Sequence, residues 1–458
     1  MKRLAALFVL AGLLAGCALA PAPRLYRPPL APAFADADAT AQEPVVLFWR
    51  RFQDPQLDEL VAAALAANAD LRIAAANLAE ARAMARYAGA KAAPDIGFSA
   101  TANRSKQLFA EDFNVIGNLF AVGVNASWEA DLFGAIRGER RAAVADARAS
   151  AAQLLAVQVS VAAEVARNYF TLRGLQEQLR VAVAALESQR ETLRLVKARH
   201  SVGRGNAFDV DRADAQVQTT AATVPALDAQ LARTRYRLAV LSGQPPTALD
   251  SRLAAPRPLP GIAPTALDRI GSPQTLLRRR PDIAAAEQQV AAAAQRIGVA
   301  RSALFPKLSL AGSLGLNASS VGALDRRDAL AFSLGATLVW SMIDFGRRRA
   351  LVDAASARGD AAMATYEKTV LGALEETEGA LAAYTRAQRR NENLDAAARS
   401  AGSAAELARV RFTAGTSDLL AVLDAERESL AARDRLAQAT TEAATSLVAV
   451  YKALAGGW

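Results

Sequence analysis

Residues 120–128 read Phe-Ala-Val-Gly-Val-Asn-Ala-Ser-Trp, and residues 332–340 read Phe-Ser-Leu-Gly-Ala-Thr-Leu-Val-Trp. In both runs apolar residues alternate with small or polar ones, and each run ends on tryptophan. A period of two gives a strand one apolar face and one polar face. A similar run precedes each. Ile96, Phe98, Ala100 and Ala102 alternate with Gly97, Ser99, Thr101 and Asn103; Leu308, Leu310, Leu314 and Leu316 alternate with Ser309, Ala311, Ser313 and Gly315. Four strands are therefore expected, each of about ten residues, which spans a bilayer when tilted. Their alternation is that of a transmembrane barrel. A small water-soluble sheet, its apolar face packed on helices, satisfies the same pattern.

The strand pairs belong to a longer repeat. Trp128 and Trp340 differ in number by 212. The same displacement relates Asp70 to Asp282, Pro94 to Pro306, Phe133-Gly134 to Phe345-Gly346, Arg199 to Arg411 and Gly203 to Gly415. A displacement held from end to end marks a duplicated fold, not a short solenoid repeat. The halves are read as 46–243 and 273–458, joined by a stretch at 244–272 dense in Pro and Gly.

Each half has the same order. An Ala-rich helical stretch (68–92 or 281–304) is stopped at Pro94 or Pro306, and the strand pair follows. Next comes a proline-free stretch, 135–201 or 347–413, with apolar residues at three- and four-residue spacing. Glycines at 203–205 or 415 then turn the chain into a return helix, 207–242 or 417–455. A helix of about 65 residues runs roughly 100 Å. That is out of scale for an ordinary globular domain and suits a coiled-coil assembly.

Four strands cannot close a barrel. An open sheet in lipid leaves unpaired backbone groups at its edges, and the smallest barrels have about eight strands. A membrane sheet here needs at least two copies of the chain; three copies supply twelve strands.

At the N-terminus, Lys2-Arg3 precede an apolar run from Leu4 to Leu14, too short for a permanent span. Leu14-Ala15-Gly16-Cys17 follows and resembles a bacterial lipobox. Residues 1–16 are expected to be a signal peptide and Cys17, the single cysteine, the lipidated residue. An ordinary signal peptide with a coincidental cysteine is the alternative. Ala18, where Asp would suggest inner-membrane retention, favours the outer membrane. Two or three acyl chains anchor stably where one does not. Residues 17–45, rich in Pro and Ala, read as an extended tether.

The composition narrows the chemistry. One cysteine allows no intramolecular disulfide, and with one histidine, His200, there is little material for a metal site or a catalytic triad. No Gly-rich phosphate motif is present. The formal charge of +9 comes from scattered arginines, without the aromatic interleaving of a nucleic-acid surface. No enzyme activity, cofactor, metal or nucleic-acid partner is expected.

Four motifs carry a resemblance. They are Trp49-Arg50-Arg51-Phe52-Gln53-Asp54-Pro55-Gln56-Leu57; Glu129-Ala130-Asp131-Leu132-Phe133-Gly134; Leu276-Leu277-Arg278-Arg279-Arg280-Pro281-Asp282-Ile283; and Ile297-Gly298-Val299-Ala300-Arg301-Ser302-Ala303-Leu304-Phe305-Pro306. With these the chain resembles the outer-membrane factors of tripartite efflux pumps, in their lipoprotein branch, over nearly all of its mature length. The resemblance implies a mostly α, internally duplicated fold with a membrane β-barrel part. It implies a homotrimer in which a twelve-stranded outer-membrane barrel continues into a twelve-helix tube across the periplasm. Implied partners are a periplasmic membrane-fusion adaptor and an inner-membrane pump of the resistance-nodulation-division class, and the implied function is export of small molecules. A type I protein-secretion duct shares this fold. A non-porous structural lipoprotein of the envelope is a reading of a different kind.

The resemblance also assigns candidate residues. Arg199, Val202, Gly203 and Gly205 of one helix-hairpin tip, and Arg411, Ala414, Gly415 and Thr416 of the other, are candidates for adaptor docking. The glycines serve a tight turn in either case. Asp209, Asp211, Phe412, Asp418 and Asp424 are candidates for the periplasmic aperture. Asp424 fits the family position best; Ala421 stands where some relatives carry another Asp. Three symmetry-related carboxylates would repel one another and attract cations. Helix capping is the plainer role for Asp209 and Asp418. Trp128 and Trp340 suit a membrane interface or plain packing. Arg137, Arg140, Arg141 and Arg347, Arg348, Arg349 suit lipid phosphates or solvent.

Overall fold

The computed structural model describes residues 19–36, 47–108, 114–259 and 270–454; the signal segment and Cys17 lie outside them. The main elements are α1 (Pro55–Ala67), α2 (Ala69–Ala90), β1 (Asp95–Leu108), β2 (Asn114–Ala130), α3 (Ala135–Ser201) and α4 (Ala207–Leu241). They continue with α5 (Pro273–Arg279), α6 (Pro281–Ser302), β3 (Lys307–Ala318), β4 (Leu330–Val339), α7 (Arg347–Thr413) and α8 (Leu419–Ala453). Both long helices, α3 and α7, have 67 residues and the limits their periodicity indicates. The chain divides into two compact units, and both long helices contribute to each.

The first unit comprises residues up to 27, 77–151 and 285–368. It holds an antiparallel sheet in the order β1-β2-β3-β4. Asp95 faces Ser127 in the first hairpin and Lys307 faces Val339 in the second. Each residue is displaced by one repeat, so the two hairpins share one register.

The first hairpin is longer than the alternation indicates. Pairing runs on to Leu108 opposite Asn114, although the alternation ends at Asn103. Ladder hydrogen bonds come from the backbone and need no alternating side chains. The apolar face is left open: Phe332 is 80 % exposed and Leu334 86 %. The chain's own helices do not cover this sheet, which sets aside the soluble alternative.

The two tryptophans tie strand ends to helix ends. Trp128 Nε1 donates to the Ala92 carbonyl at 2.9 Å, and Trp340 Nε1 donates to the Leu304 carbonyl at 3.1 Å. Donors and acceptors are each displaced by one repeat, so packing conserves the duplication. Arg137 pairs with Asp131 at 3.0 Å and Arg348 with Asp344 at 3.4 Å.

The second unit comprises residues 28–76, 152–284 and 369–458. Its core draws Tyr169, Phe170 and Leu172 from α3, Leu238 from α4, Leu381 and Tyr384 from α7, and Val450 and Tyr451 from α8. Phe48, Trp49 and Phe52, on a 3-10 turn before α1, complete it. This explains the first motif. Its aromatics are core, and Asp54 caps α1, accepting from the Gln56 and Leu57 amides. Asp54 also accepts from the Tyr169 hydroxyl. Burial, reinforced by that carboxylate, pushes the Tyr169 hydroxyl up to about 12.

The third motif has an equally local cause. Arg280 precedes α6, whose first residue is Pro281, a position where the missing amide costs nothing. Arg280 donates to Asp282 at 3.0 and 2.8 Å, to Glu376 of α7 at 2.7 Å and to the Ala453 carbonyl of α8 at 2.9 Å.

Of the N-terminal stretch read as a tether, residues 19–36 are described, and they are seated on the helices. In the first unit the Leu19 carbonyl accepts from Arg301 at 3.1 Å. In the second, Phe34 is buried and the Ala35 amide donates to Glu378 at 3.1 Å.

Candidate functional site: the helix-hairpin tips

Both tips lie in the second unit, at the α3–α4 and α7–α8 turns. Gly203 and Gly415 each have a φ of 75°, a left-handed backbone that glycine adopts without a Cβ penalty. The Gly203 amide donates to the His200 carbonyl at 3.0 Å and the Arg204 amide to Arg199 at 2.9 Å. The Gly415 amide donates to the Phe412 carbonyl at 3.0 Å and the Thr416 amide to Arg411 at 2.9 Å. These paired bonds form a Schellman motif at the end of each long helix, which satisfies carbonyls the helix leaves unpaired.

The return helices are capped by different residues at equivalent positions. Asn206 accepts from the Asp209 amide at 2.7 Å, and Asp418 accepts from the Ala421 amide at 2.9 Å. Asp418 therefore has the capping role, while in the first tip Asn206 takes it and Asp209 sits one turn in.

Arg199 joins the tips. Its guanidinium lies 4.1 Å from the centre of the Phe412 ring, and its Nη2 donates to the Phe412 carbonyl at 2.9 Å. Phe412 is only 6 % exposed and packs with Leu193, Val196, Val217, Leu419 and Val422. The structure thus separates Phe412 from the aspartates with which it was grouped: it is tip core. Asp211, Asp418 and Asp424 are exposed and Asp209 is half-buried; Asp424 pairs with Arg427. Val202, Arg411, Ala414, Gly415 and Thr416 are exposed, as are Gly203 and Gly205.

Two features escaped sequence reasoning. Phe208 is 64 % exposed beside the first tip, with the Arg212 guanidinium 5.5 Å from its ring. Glu426, just beyond Asp424 on α8, is buried and accepts from Thr192 at 3.0 Å and Ser188 at 3.2 Å, both on α3. Arg409 of α7 approaches it at 3.9 Å. In sequence Glu426 is one more charge in an Ala-Glu-Arg-Glu run; only its approach to α3 distinguishes it. The arrangement offers exposed surface and charge at each tip. Among the described residues no group of His, Cys, Asp or Glu is placed to hold a metal ion.

Sheet, long paired helices and duplicated tips together have close parallels. The model of the outer membrane efflux protein family matches residues 60–244 and again 272–456. The chain belongs to that family. It is 34 % identical to the pyoverdine export outer membrane protein OpmQ of Pseudomonas aeruginosa, over 90 % of this chain and 87 % of that protein. It is 32 % identical to the outer membrane protein OprJ of the same organism, over 97 % of this chain and 94 % of that one. Among solved structures, the outer-membrane channel OprN superposes with a TM-score of 0.89 at 40 % identity, covering 96 % of this chain and all of that one. As in its family, the architecture is mostly helical with a small β part.

Proposed function

We propose that the chain is one subunit of a trimeric outer-membrane channel that carries small molecules out of the cell as the last component of a tripartite efflux system. One observation carries this: a four-stranded sheet whose apolar face is uncovered and whose edges are open, continuous with paired 67-residue helices. Lipid is the solvent that suits the open face, and copies of the chain are what close the edges. Three copies give twelve strands and, with two long and two return helices each, a twelve-helix tube. The similarity to OpmQ, named for pyoverdine export, and to the channel OprN supports efflux as the task.

In this reading the tips, with Arg199, Val202, Gly203 and Gly205 and with Arg411, Ala414, Gly415 and Thr416, meet a periplasmic adaptor, which links the channel to an inner-membrane pump. Asp424, with Asp209, Asp211 and Asp418, lines the periplasmic aperture, and Phe412 supports it from within the tip. Cys17 carries the lipid after residues 1–16 are removed, and the repeats occupy 46–243 and 273–458. The channel moves solute without chemistry of its own; energy enters at the pump.

The test is conductance of the purified full-length chain in planar bilayers, together with drug susceptibility of a deletion strain. Discrete channel openings and restored tolerance on complementation are expected. A trimer that inserts but never conducts would overturn the proposal.

A further inference from the structure

One groove of the first unit gathers positive charge that its own lining does not balance. We infer that this groove, between α3 and α6 and lined by Arg137, Arg140, Arg141 and Arg148 with Gln288 and Gln295, binds a phosphate-bearing anion. Both walls belong to one chain, so the site does not depend on the trimer reading above.

Helical spacing builds the first wall. Positions 137, 141, 144 and 148 are four, three and four residues apart, which sets them on one face of α3. Arg140 flanks that face. Across from it, α6 supplies Gln288 and Gln295, two turns apart, and the rest of the lining is Val and Ala. The cavity measures about 530 Å³, within the range of small-molecule sites. Among the described residues no carboxylate lines it. The nearby acids are engaged by other cations: Asp131 pairs with Arg137 at 3.0 Å, Glu139 with Lys91 of α2 at 2.9 Å, and Asp146 with Arg296 of α6. Among the described residues the guanidinium groups of Arg140, Arg141 and Arg148 have no ion pair or hydrogen bond, and the side-chain amides of Gln288 and Gln295 have no hydrogen bond. The pairs with Lys91 and Arg296 also show that the chain's own α2 and α6 flank α3, so the groove is not a free edge.

The duplication shows that the fold does not require this charge. Displaced by one repeat, Arg140, Arg141 and Arg148 become Val352, Asp353 and Asp360, and Gln288 and Gln295 become Ala76 and Ala83. The other half builds the same elements with negative charge on the long helix and methyl groups on its counterpart. Polar side chains have thus gathered on both walls of a single groove, which a general excess of arginine along the chain does not explain.

Like charges at four-residue spacing repel, so the groove favours an occupant of opposite sign. Guanidinium forks match phosphate oxygens in pairs. Three unpaired guanidinium groups offer more donors than the two oxygens of one carboxylate accept, whereas a phosphate presents more acceptor oxygens and more charge. The glutamine amides add neutral donors. The start of α3 acts in the same sense: its first turn holds no acidic residue, and the positive end of the helix dipole favours an anion there. Because α3 begins five residues after β2 ends at Ala130, the phosphate can belong to a lipid headgroup or to a soluble molecule.

Binding is measured on the full-length chain purified in detergent. Inorganic pyrophosphate is titrated by calorimetry, and phosphatidylglycerol is added against phosphatidylcholine with retention read by native mass. Saturable binding of at least one probe, weakened as salt rises, is expected. Pyrophosphate binding assigns the site to soluble phosphates; retention of phosphatidylglycerol alone assigns it to headgroups. Arg141→Asp with Arg148→Asp, which copies Asp353 and Asp360, should weaken binding by about tenfold or more. Gln288→Ala with Gln295→Ala, which copies Ala76 and Ala83, should weaken it several-fold. Arg141→Lys with Arg148→Lys keeps the charge and should lose less than the charge-reversed variant. Unfolding midpoints are read alongside, and if the charge-reversed variant does not fold, the glutamine variant decides. Binding of neither probe, or unchanged binding in either of the first two variants, overturns the proposal. The trimer reading is tested separately by the mass of the assembly and stands or falls without it.

Discussion

Asn68 donates from Nδ2 to the Leu241 carbonyl at 2.9 Å, and Arg280, one repeat later, donates from Nη1 to the Ala453 carbonyl at 2.9 Å. The two acceptors are displaced by the same repeat and end the two return helices. One contact thus survives duplication while its chemistry has diverged. Asn68 uses its oxygen to cap α2, accepting from the Asp70 amide at 2.8 Å. Arg280 uses its other nitrogens to hold Asp282 and Glu376.

That divergence gives the two sites unequal weight. Asn68→Ala removes a cap and leaves one carbonyl unpaired, a loss of about 1–2 kcal/mol. Arg280→Ala takes the cation from Asp282, leaves Glu376 with Lys452 alone and frees the Ala453 carbonyl, a loss of about 2–4 kcal/mol. Unfolding midpoints in detergent should therefore fall further for Arg280→Ala.

The same cluster sets a pH dependence. Burial by itself raises the Glu376 carboxyl, but hydrogen bonds and charge from Lys452 and Arg280 overcome it and hold the group below the usual carboxylate range. A depressed folded-state value contributes stability above the unfolded value, and that stability is lost as pH falls through the folded one. Glu376→Gln should flatten the acid limb of a stability–pH curve and leave its slope near neutrality unchanged.

Close helix packing predicts a rescue. A Cβ at Gly174 would stand 1.9 Å from the Thr441 hydroxyl oxygen. Gly174→Ala should destabilise by about 1–3 kcal/mol, the usual range for overpacking. Adding Thr441→Ala removes the two nearest atoms and leaves only the Cβ of residue 441, at 2.8 Å, so the double variant should be more stable than the two single losses added together.

At the tips, Gly203→Ala and Gly415→Ala force a side chain into left-handed backbone, at about 1–2 kcal/mol each. The strain falls on an exposed turn, not the core. Trimer yield should hold while complementation of a deletion strain drops several-fold.

Asp424 is paired with Arg427, so Asp424→Asn leaves that arginine's charge unopposed in each subunit. Reversal potentials across a salt gradient should shift from cation toward anion preference. An unchanged reversal potential would remove Asp424 from the aperture.

Periodicity and punctuation made much of this molecule legible from its residues. Alternation located the strands, and unbroken three- and four-residue spacing marked both 67-residue helices. Glycine placed the tips because its backbone freedom is a property of the residue. The constant displacement between matching residues revealed two copies of one fold and left the count of chains to the family resemblance. What no local pattern held were the meetings of distant residues. Pairing beyond Asn103 follows the opposing strand and not its own side chains. Glu426 is buried because Thr192 and Ser188, far away in the chain, are packed on it. Phe412 is core because Arg199 covers it from the other tip. Alternation and turn propensity act within a few residues of chain, whereas burial and charge pairing depend on what packing brings alongside, and that information resides in the fold.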